Sequence, residues 1–174
     1  MCLFLGRYHS PMPYRHGNPS LATRGALGFL LAASFFAVSL RSGAEDPWLP
    51  AETVEPAQLV KELPESPPSH LTLVYVGTKT LYAGAHIPGA VYYGPGSSEP
   101  GLTALKAFAA ALPKSSDVVL YCGCCPLEKC PNLRPAFAAL KGLGLARLRV
   151  LILPTSFARD WVEKGYPIHQ GTSP

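Results

Sequence analysis

The first 44 residues of this 174-residue chain contain no aspartate or glutamate. All 11 acidic side chains lie from Glu45 onward, where they meet 11 basic ones, so the net charge of +4 belongs to the leading segment and its Arg7, Arg15, Arg24 and Arg41. No basic tract or stripe follows, and no nucleic-acid partner is expected. Other signatures are missing too. There is no GxxxxGK[ST] or GxGxxG phosphate cradle, no HExxH metal helix and no GxSxG nucleophile elbow. The chain has no internal repeat, and its length suits one ordinary domain.

What the leading segment does contain is ALGFLLAASFFAVSL, residues 26–40, preceded by arginines and followed by Ser42 and Ala44. A positive stretch, an apolar stretch and small residues make the order of a signal peptide, with cleavage expected after Ala44. Fifteen residues rise about 22 Å as a helix, short of the roughly 30 Å hydrocarbon core. The expectation is an exported, periplasmic or secreted protein. The alternative is anchorage by this one N-terminal segment, so any membrane contact runs through an uncleaved leader. The division expected is a leader over 1–44, an irregular arm over 45–52, the domain over 53–169 and a tail over 170–174.

Cys2 would leave with the leader. The other four cysteines, Cys122, Cys124, Cys125 and Cys130, fall within nine residues, unlike the dispersed spacing of a disulfide-stapled domain. They mark one chemical site.

The mature chain holds 16 of the 19 prolines, which fix turns and element ends. A short helix is expected after Thr53 as cap, with Pro56 in its first turn and Ala57, Leu59, Val60 and Leu63 on its apolar side. LTLVYV, residues 71–76, reads as an interior strand. TKTLYAGAHIPG then reads as a loop and AVYY as a short strand. Thr103 would cap a helix over ALKAFAAAL, ended by Pro113. DVVLYC, residues 117–122, is a second interior strand. A helix capped by Asn132 presents Leu133, Ala136, Phe137, Leu140 and Leu143 at spacings of three and four. LRVLIL, residues 148–153, is a third strand, and Ser156 would cap a last helix through Phe157, Trp161 and Val162. Short strands alternating with helices predict an α/β fold, a mostly parallel sheet covered on both faces. Ligands in such folds sit at the carboxyl ends of strands, where Cys122 stands.

In YCGCCPLEKCPN, loop amides and the positive end of the following helix would stabilise a thiolate, a persulfide or a bound oxyanion, which predicts a low-pKa Cys122. Lys129 and Arg134 can add positive charge if they fold over the loop. Cys122 is a candidate nucleophile; an inert buried thiol and a metal ligand are the other readings. Cys124, Cys125 and Cys130 are candidate resolving or secondary thiols, although bridging two cysteines two residues apart requires local distortion. All four also have the ligand count for zinc or Cu(I), without the paired CxxC knuckles usual for tetrahedral sites. His86 is expected to tie its loop by hydrogen bonding and Gly89 to let the chain turn. The tyrosines and Trp161 read as packing residues, and Asp160 as a solvated helix charge within reach of Arg159, Lys164 or Arg134.

AGAHIPGAVYY, VVLYC, PAFAALKGLGL and VLILPTSFARDWVEKGYP together resemble a single-domain rhodanese, from about Val54 to Ile168. The resemblance implies an α/β sulfurtransferase. Cys122 would take sulfane sulfur from a donor such as thiosulfate, hold it as a persulfide and yield it to cyanide or a thiol. No cofactor is implied, and the partner would be a small sulfur-containing substrate or a thiol protein. His86 and Gly89 match the family's turn and Trp161 its last helix. The departures are a longer loop with three extra cysteines and Lys129 in place of an arginine, and Tyr75-Val76-Gly77 where many members have Asp-Val-Arg. They point toward an exported thiol-redox module or a soft-metal site built from Cys122, Cys124, Cys125 and Cys130.

Overall fold

The computed structural model describes residues 46–63 and 70–172, which fall in one compact unit. The leader over 1–44, its cleavage point and Cys2 lie outside the described residues. Among the described residues no helix is long and apolar enough to cross a membrane.

Five strands form one sheet: β1 (Thr53–Val54), β2 (Leu71–Tyr75), β3 (Val91–Tyr92), β4 (Asp117–Tyr121) and β5 (Arg147–Leu151). Their spatial order is β1-β5-β4-β2-β3, and every pairing is parallel. The central strand β4 sets Tyr121 beside Tyr75 and Leu120 beside Val150. Its apolar run has no polar face because both sides are covered. Val118 and Leu120 join a core with Leu105, Phe137 and Leu140, while Val119 and Tyr121 join one with Leu59, Tyr82, Phe157 and Trp161.

The first of these cores is closed by α3 (Glu99–Ala111) and α4 (Leu133–Lys141), the second by α1 (Pro56–Glu62), α2 (Lys79–Gly84) and α5 (Phe157–Asp160). Each large apolar side chain removed from water contributes roughly 1.5–3 kcal/mol, so these two layers are the main drive to fold. The architecture is the parallel α/β class that the alternation of elements predicts.

Local expectations differ in four places. Thr53 is a strand residue, paired with Val150 on the sheet edge, and Glu55 precedes α1 without a side-chain cap. The segment read as a loop contains the six-residue α2, too short to be stable alone and held by burial of Tyr82. The helix expected from Thr103 begins earlier, at Glu99. Ser98 caps it by accepting the Gly101 amide at 3.2 Å, and Pro100 occupies the first turn. The arm is not wholly irregular. Pro50–Glu52 is a turn of 3-10 helix, and Trp48 is buried edge-on against Phe137 at 5.6 Å. The cap at Ser156 is as predicted, its Oγ accepting from the Arg159 amide at 3.3 Å.

At the amino-terminal end of the sheet, Arg149 is buried with its guanidinium divided between two carboxylates. It donates to Asp117 at 3.0 and 2.7 Å and to Glu62 at 3.3 and 2.7 Å. Arg147 reaches Asp117 from the surface at 3.0 Å. Hydrogen bonding to Arg149 holds the Glu62 carboxyl below its ordinary range, against the opposing effect of burial.

Candidate functional site

Cys122 is the first residue after β4 and is buried at the carboxyl end of the sheet. Gly123 follows because nothing larger fits: a Cβ there would lie 2.6 Å from the Cβ of Phe157. The chain then turns through Leu127–Lys129, a 3-10 turn in which the Lys129 amide bonds the Pro126 carbonyl at 2.9 Å. This turn is why the longer loop brings Cys130 back to the strand end. The sulfurs of Cys122, Cys124 and Cys130 all lie within 4.8 Å of one another. Cys122 and Cys124 are 3.1 Å apart, and Cys125 approaches Cys124 at 3.2 Å. All four are free thiols; Cys130 is buried like Cys122, and Cys124 is exposed.

Of the Cys122–Cys130 pair, the hydrogen bonds favour ionisation at Cys130 and disfavour it at Cys122. Cys130 is lowered to about 6, first by the hydrogen bond from the Cys122 thiol and then, against the cost of burial, by the amides of Asn132 and Leu133. Those amides belong to the start of α4, and Cys130 stands nearer that positive end than Cys122 does. Cys122 is pushed up, because it supplies the shared proton to Cys130 and is itself buried; the Cys124 amide opposes this only in part. The two thiols titrate as a pair. Burial, and then the neighbouring Cys124, push Cys125 up to about 12.

Asn132 is a second difference. It precedes α4 but makes no cap with its side chain. Its Oδ1 accepts the Ser97 amide at 3.1 Å, which turns Nδ2 toward the sulfurs of Cys122 and Cys124 at 3.6 and 3.7 Å. The residue is therefore a donor to the thiol cluster. The only sequence signal for it was its place directly after Cys130-Pro131.

The two basic candidates do not point at the sulfurs. Arg134 donates to the carbonyls of Leu127 and Cys130 at 3.5 and 3.3 Å, pairs with Asp46 at 2.5 Å and lies over Trp48. It fastens the loop from outside. Lys129 is exposed on the 3-10 turn. His86 is buried, stacked on Tyr82 at 3.9 Å with Nδ1 2.8 Å from the Tyr82 carbonyl, and its backbone exchanges two hydrogen bonds with His169. Gly89 has φ +76°, the left-handed turn geometry glycine permits. Asp160 pairs with none of the three bases; its Oδ2 accepts the amides of Thr155 and Ser156 at 2.6 and 2.9 Å. Trp161 is buried, and its indole donates to the Pro167 carbonyl at 2.8 Å.

A parallel α/β sheet with a thiol cluster at its carboxyl edge defines the class. No family model matches the chain, and no curated protein matches it. Solved structures do. The Alr3790 protein from Anabaena sp. is 20% identical, with a TM-score of 0.50 over 67% of this chain and 82% of that one. The BH2092 protein from Bacillus halodurans is 24% identical, with a TM-score of 0.50 over 69% of this chain and 77% of that one. The solution structure of the rhodanese-like domain from the same Anabaena protein is 22% identical and covers 70% and 80%, with a TM-score of 0.48. This chain has a rhodanese-like fold.

Proposed function

We propose that this rhodanese-like domain is a soft-metal-binding module, with Cys122, Cys124 and Cys130 as thiolate ligands. The observation that carries the reading is the convergence of three free sulfurs within 4.8 Å of one another. Zn–S bonds of about 2.3 Å set tetrahedral sulfurs about 3.8 Å apart, a spacing reached here by small side-chain rotations. Sulfur donors select Zn²⁺ and Cu(I) over hard cations. Cys130 is ionised first, and a bound ion displaces the remaining thiol protons. Asn132 and the opening amides of α4 supply the outer hydrogen bonds that orient thiolate ligands. Cys125 is the reserve thiol beside Cys124. Export behind the leader over 1–44 completes the proposal, supported by the order of charge, apolar run and small residues.

A second reading, sulfur transfer, is favoured by the position of Cys122 after the central strand. In that reaction the Cys122 thiolate attacks the outer sulfur of thiosulfate, the S–S bond breaks and sulfite leaves with the electron pair. The dianion would need a cation, and Arg134 is committed to Asp46 and the loop carbonyls. One experiment separates the two. The protein is purified without oxygen, and its native and denatured masses are taken before and after Zn²⁺, Cu(I) or thiosulfate. One ion per chain with thiols shielded from alkylation is expected. Four freely alkylated thiols without metal reject the module, and a gain of about 32 Da after thiosulfate, lost in Cys122→Ser, establishes persulfide transfer instead.

A further inference from the structure

The four sulfurs of the loop form a ring of contacts. Cys122 meets Cys124 at 3.1 Å and Cys124 meets Cys125 at 3.2 Å, while Cys130 is hydrogen-bonded both to Cys125 and back to Cys122. Each thiol therefore touches two others, and a central tetrahedral ion finds its fourth ligand in Cys125, with no donor needed from outside. The ring has two unlike edges. Cys122 and Cys130 are each 2% exposed and belong to the core with Leu133 and Phe137. Cys122 is fixed by the end of β4, and Cys130 by the amides of Asn132 and Leu133. Cys124 and Cys125 lie on the bend between Gly123 and the 3-10 turn, the first exposed and the second half-buried. A sulfur arriving from solvent can reach a central ion only across that surface edge, because the opposite edge is closed by the core.

We propose that Cys125 is the fourth ligand and that the Cys124–Cys125 edge is where the ion is exchanged with a partner bearing two neighbouring thiols. This rests on the soft-metal reading and names the closing ligand and the exchange partner of that site. The exchange is a ligand substitution. Each incoming thiol loses its proton as its sulfur bonds the ion, and Cys125 and Cys124 take up protons as their bonds to it break. Cys122 and Cys130 hold the ion until the partner's second sulfur has arrived, and release it last. Two of the protons returned to the cysteines come from the partner and the rest from solvent; no electron is transferred. A dithiol outpaces two separate thiols because its second bond forms within one molecule.

The test uses the full chain loaded with Cd²⁺, whose sulfur-to-metal absorption counts bound thiolates. Cys125→Ser should lower that absorption by about one quarter, as four thiolates become three, with one ion still bound. In the unmutated chain, Cd²⁺ loss to 2,3-dimercaptopropanol should quicken in proportion to its concentration. It should run at least about tenfold faster than loss to EDTA, or to 2-mercaptoethanol at the same thiol concentration. Pulse alkylation during the transfer should label Cys125 and Cys124 before Cys122 and Cys130, all four being shielded until the dithiol is added. An absorption unchanged in Cys125→Ser overturns the fourth ligand and leaves the three-sulfur site standing. A rate that the dithiol shares with EDTA or the monothiol, or labelling that begins at Cys122 or Cys130, overturns the exchange edge. Failure to bind Cd²⁺ overturns the metal reading and both parts of the proposal together.

Discussion

The two ends of the sheet treat buried polar groups in opposite ways. At the amino-terminal end, Arg149 places four hydrogen bonds on Asp117 and Glu62. At the carboxyl end, the Tyr75 hydroxyl and the Nε of Arg134 have no hydrogen-bond partner, and two buried thiols are hydrogen-bonded to one another. The first arrangement is closed and needs nothing further to be stable. The second is held in place by its surroundings with bonding capacity to spare, as a site that takes a ligand must be.

The largest effect should come from opening the closed end. Arg149→Met leaves Asp117 and Glu62 facing one another without their cation, and denaturant unfolding should show a loss of about 3–5 kcal/mol. The variant should still bind one ion per folded chain; loss of binding in the folded protein would mean that the two ends are coupled. Next in size is Cys130→Ser, which removes the ionised ligand. Competition with a chelator should show Cd²⁺ affinity falling more than about 100-fold, beyond what an outer-shell change causes, with little change in unfolding midpoint. Asn132→Ala removes only the outer donor and should cost about 10–100-fold in the same assay. An unchanged affinity would reduce Asn132 to a tether for Ser97.

The smallest effect is a pH dependence of the closed end. The folded pKa of Glu62 lies below its unfolded value of about 4.3. Its contribution is therefore complete above the unfolded value and is lost as pH falls through the lower, folded one. Thermal unfolding followed downward from neutral pH should steepen in that acid range, and Glu62→Gln should remove that part of the slope. A slope unchanged in Glu62→Gln would assign the acid sensitivity to other carboxylates.

The central strand was legible because Asp117–Tyr121 is short, apolar and β-branched, and Cys122 follows it directly. The buried side of α4 was legible from Leu133, Phe137 and Leu140 at helical spacing. What escaped depends on partners distant in sequence. Trp48 is buried against Phe137, 89 positions on, and beneath Arg134, and α2 exists through the docking of one tyrosine. The charge distribution in the cysteine loop was misplaced for a local reason. Loop amides were assigned to the cysteine nearest the strand, whereas the 3-10 turn delivers Cys130 to the amides that open α4. That signal was available, since Cys130 is three residues from Leu133 and Cys122 is eleven.

The orientation of Asn132 sets helix stability against binding. By turning its amide to the sulfurs, the chain leaves α4 without a side-chain cap. Aspartate has nearly the same shape and could still accept the Ser97 amide, and a carboxylate at a helix start contributes about 0.3–1 kcal/mol through the helix dipole. It would also set a second anion against the thiolates and remove their donor. A stability screen would select Asn132→Asp as an improvement, and a binding screen would discard it. Residue 132 is thus a place where the most heat-resistant version of this domain and the most competent one diverge.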